Sequence, residues 1–196
     1  MKIVALLLLF IFSTFSYSQN TNFGIEVSPS FELQSIKNKN TGLLSSISGY
    51  GFNIGMPIKF NVDNEKSISS GITYEFTAFD NKINNYLASS LRLNSLNVPL
   101  IYNIPVIQGF YFNTGIGINY IFLSKQFGGG IWLNTNTIVN QFQPYLAAGL
   151  STLVDLGTNN YELGVNARYH LIDIWKNTDQ TRTNIIAIDL NMKYYF

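Results

Sequence analysis

A strict alternation of apolar with small or polar residues runs through most of this chain, and it limits the fold more than any other feature. The alternation is without error over residues 23–34, where the apolar positions are Phe23, Ile25, Val27, Pro29, Phe31 and Leu33. A β-strand points successive side chains to opposite faces, so such a segment has one apolar and one polar face. The pattern therefore predicts an all-β fold.

Eight segments of this kind follow one another along the chain. The predicted strands are residues 23–34, 48–60, 68–76, 95–104, 110–122, 145–156, 161–171 and 186–196. The fourth has the weakest alternation, because Pro99 and Ile101 fall on its polar face. Short connections at 61–66, 105–109 and 157–160 alternate with longer ones around 37–42 and at 80–90, 124–143 and 173–182. Outer-membrane barrels pair short periplasmic turns with long external loops in the same way.

The composition indicates that the apolar face meets lipid. Charged residues make up 12% of the chain, against roughly 25% in soluble proteins, and aromatic residues reach 15%. Beyond the N-terminal segment, no apolar run approaches the ~20 residues that a spanning helix needs. Only helices and closed barrels satisfy their backbone hydrogen bonds in hydrocarbon. We therefore predict an eight-stranded antiparallel up-and-down transmembrane β-barrel.

The N-terminal segment has the features of a secretory signal peptide. Lys2 precedes an apolar run over residues 3–12, and the small residues Ser16 and Ser18 follow. A signal peptide over residues 1–18 and a barrel domain over 19–196 are expected, with Gln19 as the first residue of the exported protein. The absence of cysteine excludes a lipoprotein anchor. Removal of Lys2 lowers the net charge of +1 to zero, so no nucleic-acid partner is expected.

The residue types on the polar face separate a membrane barrel from a soluble one. A lipocalin-like barrel would bury the apolar face and place lysine and glutamate on the wet one, but here that face is mostly Gly, Ser, Asn and Thr. Six outward positions extend over roughly 33 Å at ~3.3 Å per residue. At a tilt of ~40° this length covers the ~25 Å apolar band of membrane barrels. We expect location in the outer membrane, with its lipid as a partner.

Aromatic residues are predicted to form a belt at each interface, where amphipathic rings are favoured. One belt comprises Phe23, Phe60, Tyr102, Phe110, Tyr161, Tyr194 and Phe196. The other comprises Phe31, Tyr50, Phe76, Tyr120, Phe122 and Tyr169.

The sequence offers little for catalysis or metal binding. His170 is the only histidine, and no serine is near it in the sequence. A structural role on the inner face is therefore favoured over a catalytic one. Gly128 to Gly130 lack the Lys-Ser/Thr of a phosphate loop, and Trp132 and Trp175 are interpreted as interfacial anchors in external loops. No catalytic, cofactor or metal site is predicted.

Nine charged residues fall on the predicted inner face: Glu26, Glu32, Lys59, Glu75, Asp155, Glu162, Arg168, Asp189 and Lys193. They could line a selective passage, or they could pair and fill a lumen that is just wide enough for side chains. The second interpretation is favoured because unpaired buried charges are costly. The interior charge network is predicted to comprise Arg168, Asp189, Glu75, Glu32, Lys193 and Glu162.

Several short motifs resemble those of the PorT-like outer-membrane β-barrel family of the Bacteroidetes. They are Leu96-Asn97-Val98-Pro99-Leu100, the Phe110–Tyr120 segment FYFNTGIGINY, Ala167-Arg168-Tyr169-His170-Leu171 and the terminal Tyr195-Phe196. The resemblance covers essentially all of residues 19–196. It implies a link to type IX secretion only for the named member of the family, and recognition of Phe196 by the barrel-insertion machinery.

Three functions remain open from the sequence. The favoured one is a non-enzymatic scaffold or interaction protein whose external loops contact a protein partner. The alternatives are a narrow, porin-like passive channel for small solutes and an outer-membrane enzyme that modifies lipid.

Overall fold

The computed structural model describes residues 21–63, 66–83, 86–156, 159–176 and 181–196. The predicted signal peptide, 1–18, and Gln19 lie outside these residues. None of the described segments is a helix long and apolar enough to cross a membrane.

The described residues form nine β-strands. They are β1 (Thr21–Asn38), β2 (Leu44–Asn61), β3 (Ser67–Ile83), β4 (Tyr86–Ile107), β5 (Phe110–Gly128), β6 (Ile131–Asn134), β7 (Phe142–Leu156), β8 (Asn159–His170) and β9 (Thr181–Tyr195). Each of the eight long strands pairs antiparallel with its neighbours, and pairing of β1 with β9 closes the ring. β6 adds a short hairpin arm to β5. The predicted eight-stranded up-and-down barrel is confirmed.

The faces of the strands follow the predicted phase. Asn53 is 4% exposed, whereas its neighbour Ile54 is 46% exposed. Pro99 and Ile101 line the interior, as their positions in the weakest strand predicted. The outward face carries a continuous band of large apolar side chains around the ring, while most buried residues are polar. A soluble barrel would show the reverse arrangement.

Two predicted loops are wrong in extent. Residues 80–90 were expected to be irregular, but β3 continues to Ile83 and β4 begins at Tyr86. A register shift at Asn81/Lys82 interrupts the period-two pattern there, so the alternation does not indicate the strands. In the predicted 124–143 loop, β5 continues to Gly128 and the chain returns as β6, which places Trp132 in a strand. Gly129 and Gly130 form the hairpin tip, with φ of 59° and 85°.

The strand ends define two ends of the barrel. The turn end carries the connections after β2, β4 and β7, together with Thr21 at the start of β1. The loop end carries the connections after β1, β3, β5 and β8, together with the segment between β6 and β7. A buried apolar cluster lies inside the loop end, comprising Phe79, Leu91, Leu93, Ile121, Val139, Ile174 and Ile185. Polar and charged side chains fill the rest of the interior.

Candidate functional site

The charged residues predicted on the inner face lie inside the barrel wherever their side chains are described. All six residues of the predicted interior network are less than 9% exposed: Arg168, Asp189, Glu75, Glu32, Lys193 and Glu162. Asp155, another of the nine predicted inward charges, has a side chain outside the described part of the structure. The buried charges form two groups at different heights in the lumen.

The first group is centred on Arg168, which extends from β8 across the lumen. Its Nε donates to Asp189 Oδ2 at 2.6 Å and its Nη2 to Asp189 Oδ1 at 2.9 Å. On the opposite side, Nη1 donates to Glu75 Oε2 at 2.8 Å and Nη2 to Glu75 Oε1 at 3.1 Å. One guanidinium therefore binds two carboxylates bidentately, which is the geometry that its planar fork favours.

Amide side chains hold the two carboxylates in place. Asn53 Nδ2 donates to Asp189 Oδ1 at 3.2 Å, and Asn119 Nδ2 donates to Glu75 Oε2 at 3.3 Å. The predicted choice of Glu75 or Glu32 as a further partner of Arg168 falls on Glu75. Glu32 instead accepts a hydrogen bond from Thr77 Oγ1 at 2.9 Å.

A tyrosine ring also contacts the guanidinium of Arg168. The Tyr145 ring centroid is 5.5 Å from Arg168 Cζ, and Tyr145 Oη donates to Asn97 Oδ1 at 2.7 Å. The ring fits only because Gly117 faces it from β5; a Cβ at that position would lie 2.2 Å from the ring. The sequence prediction missed this support. A large aromatic opposite a glycine in adjacent predicted strands was the available signal.

The second charge group lies nearer the turn end and is centred on Glu162. Lys59 Nζ is 2.9 Å from Glu162 Oε2, and Lys193 Nζ is 3.3 Å from Glu162 Oε1. Lys59 also lies 5.4 Å from the ring centroids of Tyr111 and Tyr195. The predicted network left out Lys59, because its pairing joins β2 to β8 across the lumen and no local spacing indicates it.

Little open space remains between the two groups. A cavity of about 50 Å³ is lined by Glu26, Asn53, Arg168 and Lys193, among others. A single water needs at least ~10–15 Å³ of such space, so the cavity is large enough for a few waters. Paired charges therefore cross the lumen at two heights, and a small polar pocket remains between them.

His170 lies on the inner face at the loop end. It is 3% exposed, and its ring centroid is 5.6 Å from that of Tyr145. Within the described residues, no three His, Cys, Asp or Glu side chains are grouped as metal ligands would be.

The fold is shared with solved barrels. No family model and no curated protein matches the chain. The crystal structure of Neisserial surface protein A (NspA) matches with a TM-score of 0.56 and 14% identity, over 88% of this chain and 97% of that one. The outer membrane protein AlkL matches with a TM-score of 0.49 and 14% identity, over 90% and 89%. Ail of Yersinia pestis matches with a TM-score of 0.41 and 14% identity, over 88% and 98%.

At this identity the likeness to NspA shows the fold alone. The chain has the architecture of small outer-membrane β-barrels.

Proposed function

We propose that this chain is a non-enzymatic, integral outer-membrane barrel that contacts a protein partner through its loop end and whose lumen is closed. The proposal rests on one observation: the outward face is a band of apolar side chains, while Arg168 and its two carboxylate partners cross the lumen. An apolar exterior around a polar interior suits a bilayer as solvent. A scaffold is favoured over the passive channel because the ion pairs occupy the lumen.

Finer parts of the proposal rest on the sequence. A signal peptide over residues 1–18 would direct export, and the barrel-insertion machinery would recognise the C-terminal Phe196. The motifs that resemble the PorT-like family support a further link to protein secretion. Crosslinking from the loop end in intact cells tests that link, because recovery of secretion components would support it. Recovery of only unrelated envelope proteins would contradict it.

The location is tested by fractionation. The protein should appear with the outer membrane and should migrate differently in detergent gels when it is not heated, because small barrels resist unfolding in detergent. Recovery in the soluble periplasmic fraction would contradict the membrane assignment.

The orientation is tested by protease sites at the two ends. A site inserted near Gly129, at the tip of the β5–β6 hairpin, should make whole cells cleavable. The matched control is a site near Gly109, in the tight turn between β4 and β5. Cleavage there should require opened cells, and the reverse pattern would invert the proposed topology.

The closed lumen is tested in planar bilayers. The wild-type protein should give no sustained single-channel current, whereas steady currents would favour the passive channel.

Mass analysis of lipid A from a deletion strain addresses the enzymatic alternative. Unchanged lipid A supports the proposal, and loss of a modification on deletion would contradict it.

A further inference from the structure

The barrel interior changes from polar to largely apolar at the loop end, where it contains an open chamber. Its volume is about 360 Å³. It is lined by the apolar side chains Ile36, Ile47, Phe79, Leu91, Ile138 and Trp175. Buried members of the apolar cluster form its floor, and Ile47 and Trp175 pack against that cluster. The chamber is distinct from the polar cavity between the charge groups.

Two connecting segments form one side of this chamber. Val139 and Trp175 make an isolated β-bridge, and the backbone N–H of Lys176 donates to Ile138 O at 2.8 Å. Val139 and Ile174 are almost fully buried in the apolar cluster. Packing and backbone hydrogen bonds therefore hold both segments in place, and these segments give the chamber a fixed wall at the loop end.

The residues outside the described part in the two neighbouring connections are polar in sequence. The residues between β3 and β4 outside the described part are Asn84 and Asn85, and those after Trp175 are Asn-Thr-Asp-Gln at 177–180. Both sequences are polar. The N-terminal end of β1, at Thr21, lies at the opposite end of the barrel.

The lining side chains define the chemistry of an occupant. Alongside the apolar residues are five neutral polar ones: Gln34, Asn81, Ser89, Ser90 and Gln126. No charged side chain belongs to the lining among the residues whose side chains are described. An eight-stranded barrel is too narrow to admit a folded element from a partner, whereas ~300–1,000 Å³ is the usual size of a small-molecule site.

We propose that the chamber binds a small neutral amphiphile, with one apolar chain on the Phe79 side and an uncharged hydroxyl or amide head against the polar residues. Burial of the chain removes apolar surface from water. The head exchanges hydrogen bonds with amide and hydroxyl side chains. A charged head would lose its hydration without gaining an ionic partner among the lining residues.

The test uses Trp175 as a reporter in the full barrel reconstituted in lipid nanodiscs. The chain has two tryptophans, and Trp132 is not part of the lining, so Trp132→Phe leaves only the reporter. Bromodecanol, a neutral amphiphile whose bromine quenches tryptophan, should quench Trp175 saturably. Simple partition into lipid would instead give quenching that rises linearly with concentration.

Two matched variants decide whether the chamber is the site. Ser89→Phe fills it from the half-buried rim of β4 and should weaken bromodecanol binding at least tenfold. Ala88→Phe adds the same ring at the adjacent exposed position and should leave binding unchanged. If Ser89→Phe fails to show the gel shift of a folded barrel, Gln126→Phe takes its place from β5.

The head-group preference is measured by competition. The anionic and cationic analogues, decanoate and decyltrimethylammonium, should compete with bromodecanol at least tenfold less well than decanol does. Linear quenching in all proteins, equal binding by the filled and control variants, or equal competition by the charged analogues would overturn the proposal.

Discussion

The two levels of the barrel interior are both filled by side chains, but charged ones fill the first and apolar ones the second. In the middle and at the turn end, charged side chains meet across the lumen, as Arg168 does with Asp189 and Glu75. At the loop end, inward positions on two of the same strands carry apolar groups, Phe79 on β3 and Ile185 on β9. The inner face of a barrel strand is therefore not uniformly polar. Its character changes with height, and pairing is needed only where charges are present.

Removal of Arg168 is the largest expected disturbance. Arg168→Ala leaves Glu75 and Asp189 buried without a counter-charge, and such losses cost about 3–5 kcal/mol of the free energy of unfolding. Urea titration of the barrel in lipid vesicles measures the loss, and planar bilayers should show a small new leak. The added changes Glu75→Gln and Asp189→Asn should recover part of the stability. A loss below about 1 kcal/mol, the value of an exposed pair, would contradict the buried network.

The outer face should be nearly as sensitive to charge. Ile54→Arg places a guanidinium on the lipid side, where it costs about 2–4 kcal/mol near the bilayer midplane. The neighbouring inward change Asn53→Ser removes only one hydrogen bond to Asp189, worth about 1 kcal/mol. The same urea titration compares them. Equal effects would mean that the two faces have been exchanged.

The apolar level should respond to volume and not to charge. Leu93→Ala removes a side chain that is 4% exposed and should cost about 2–3 kcal/mol, within the range for buried leucines. Leu96→Ala, on the outward face of the same strand, should cost clearly less in the same titration. Leu93→Ala should leave the bilayer without conductance, because the ion pairs below it remain intact. A leak from Leu93→Ala would place the closure of the lumen at the apolar level.

The smallest effect is expected outside the lumen. Lys66 pairs with Asp63 at 3.6 Å in the turn after β2, and both side chains are about half exposed. Lys66→Ala should change the free energy of unfolding by about 0.5 kcal/mol or less, because water screens such pairs. A loss comparable to that of Arg168→Ala would remove the distinction between buried and exposed pairs.

The sequence predicted those parts of the fold in which a single periodicity dominates. The opposite placement of Asn53 and Ile54 follows from alternation alone, and the β8–β9 hairpin brings Arg168 diagonally near Asp189. The strands over 80–90 escaped prediction because a register shift breaks the period. The burial of Val139 and Ile174 could not be predicted, since both lie in irregular segments where no pattern indicates an inward direction.

The partners of the buried charges across the lumen were harder to predict than those within a hairpin. Glu75 and Glu32 both face inward, and the stagger between strands decides which one meets Arg168. Lys59 reaches Glu162 from a strand that is not adjacent in the sheet. Such contacts form only in the closed barrel, so the spacing of residues along the sequence does not predict them.

The long sequence separation of these ion pairs has a kinetic consequence. Arg168 and Glu75 are 93 residues apart, and Lys59 and Glu162 are 103 apart. Such contacts form only after the opposite walls have met, so they should be absent from the rate-limiting step of insertion. Loss of Arg168 should then leave the rate of folding into vesicles nearly unchanged and should accelerate unfolding. The cross-lumen charges would in this way determine how long the inserted barrel persists, and not how quickly it forms.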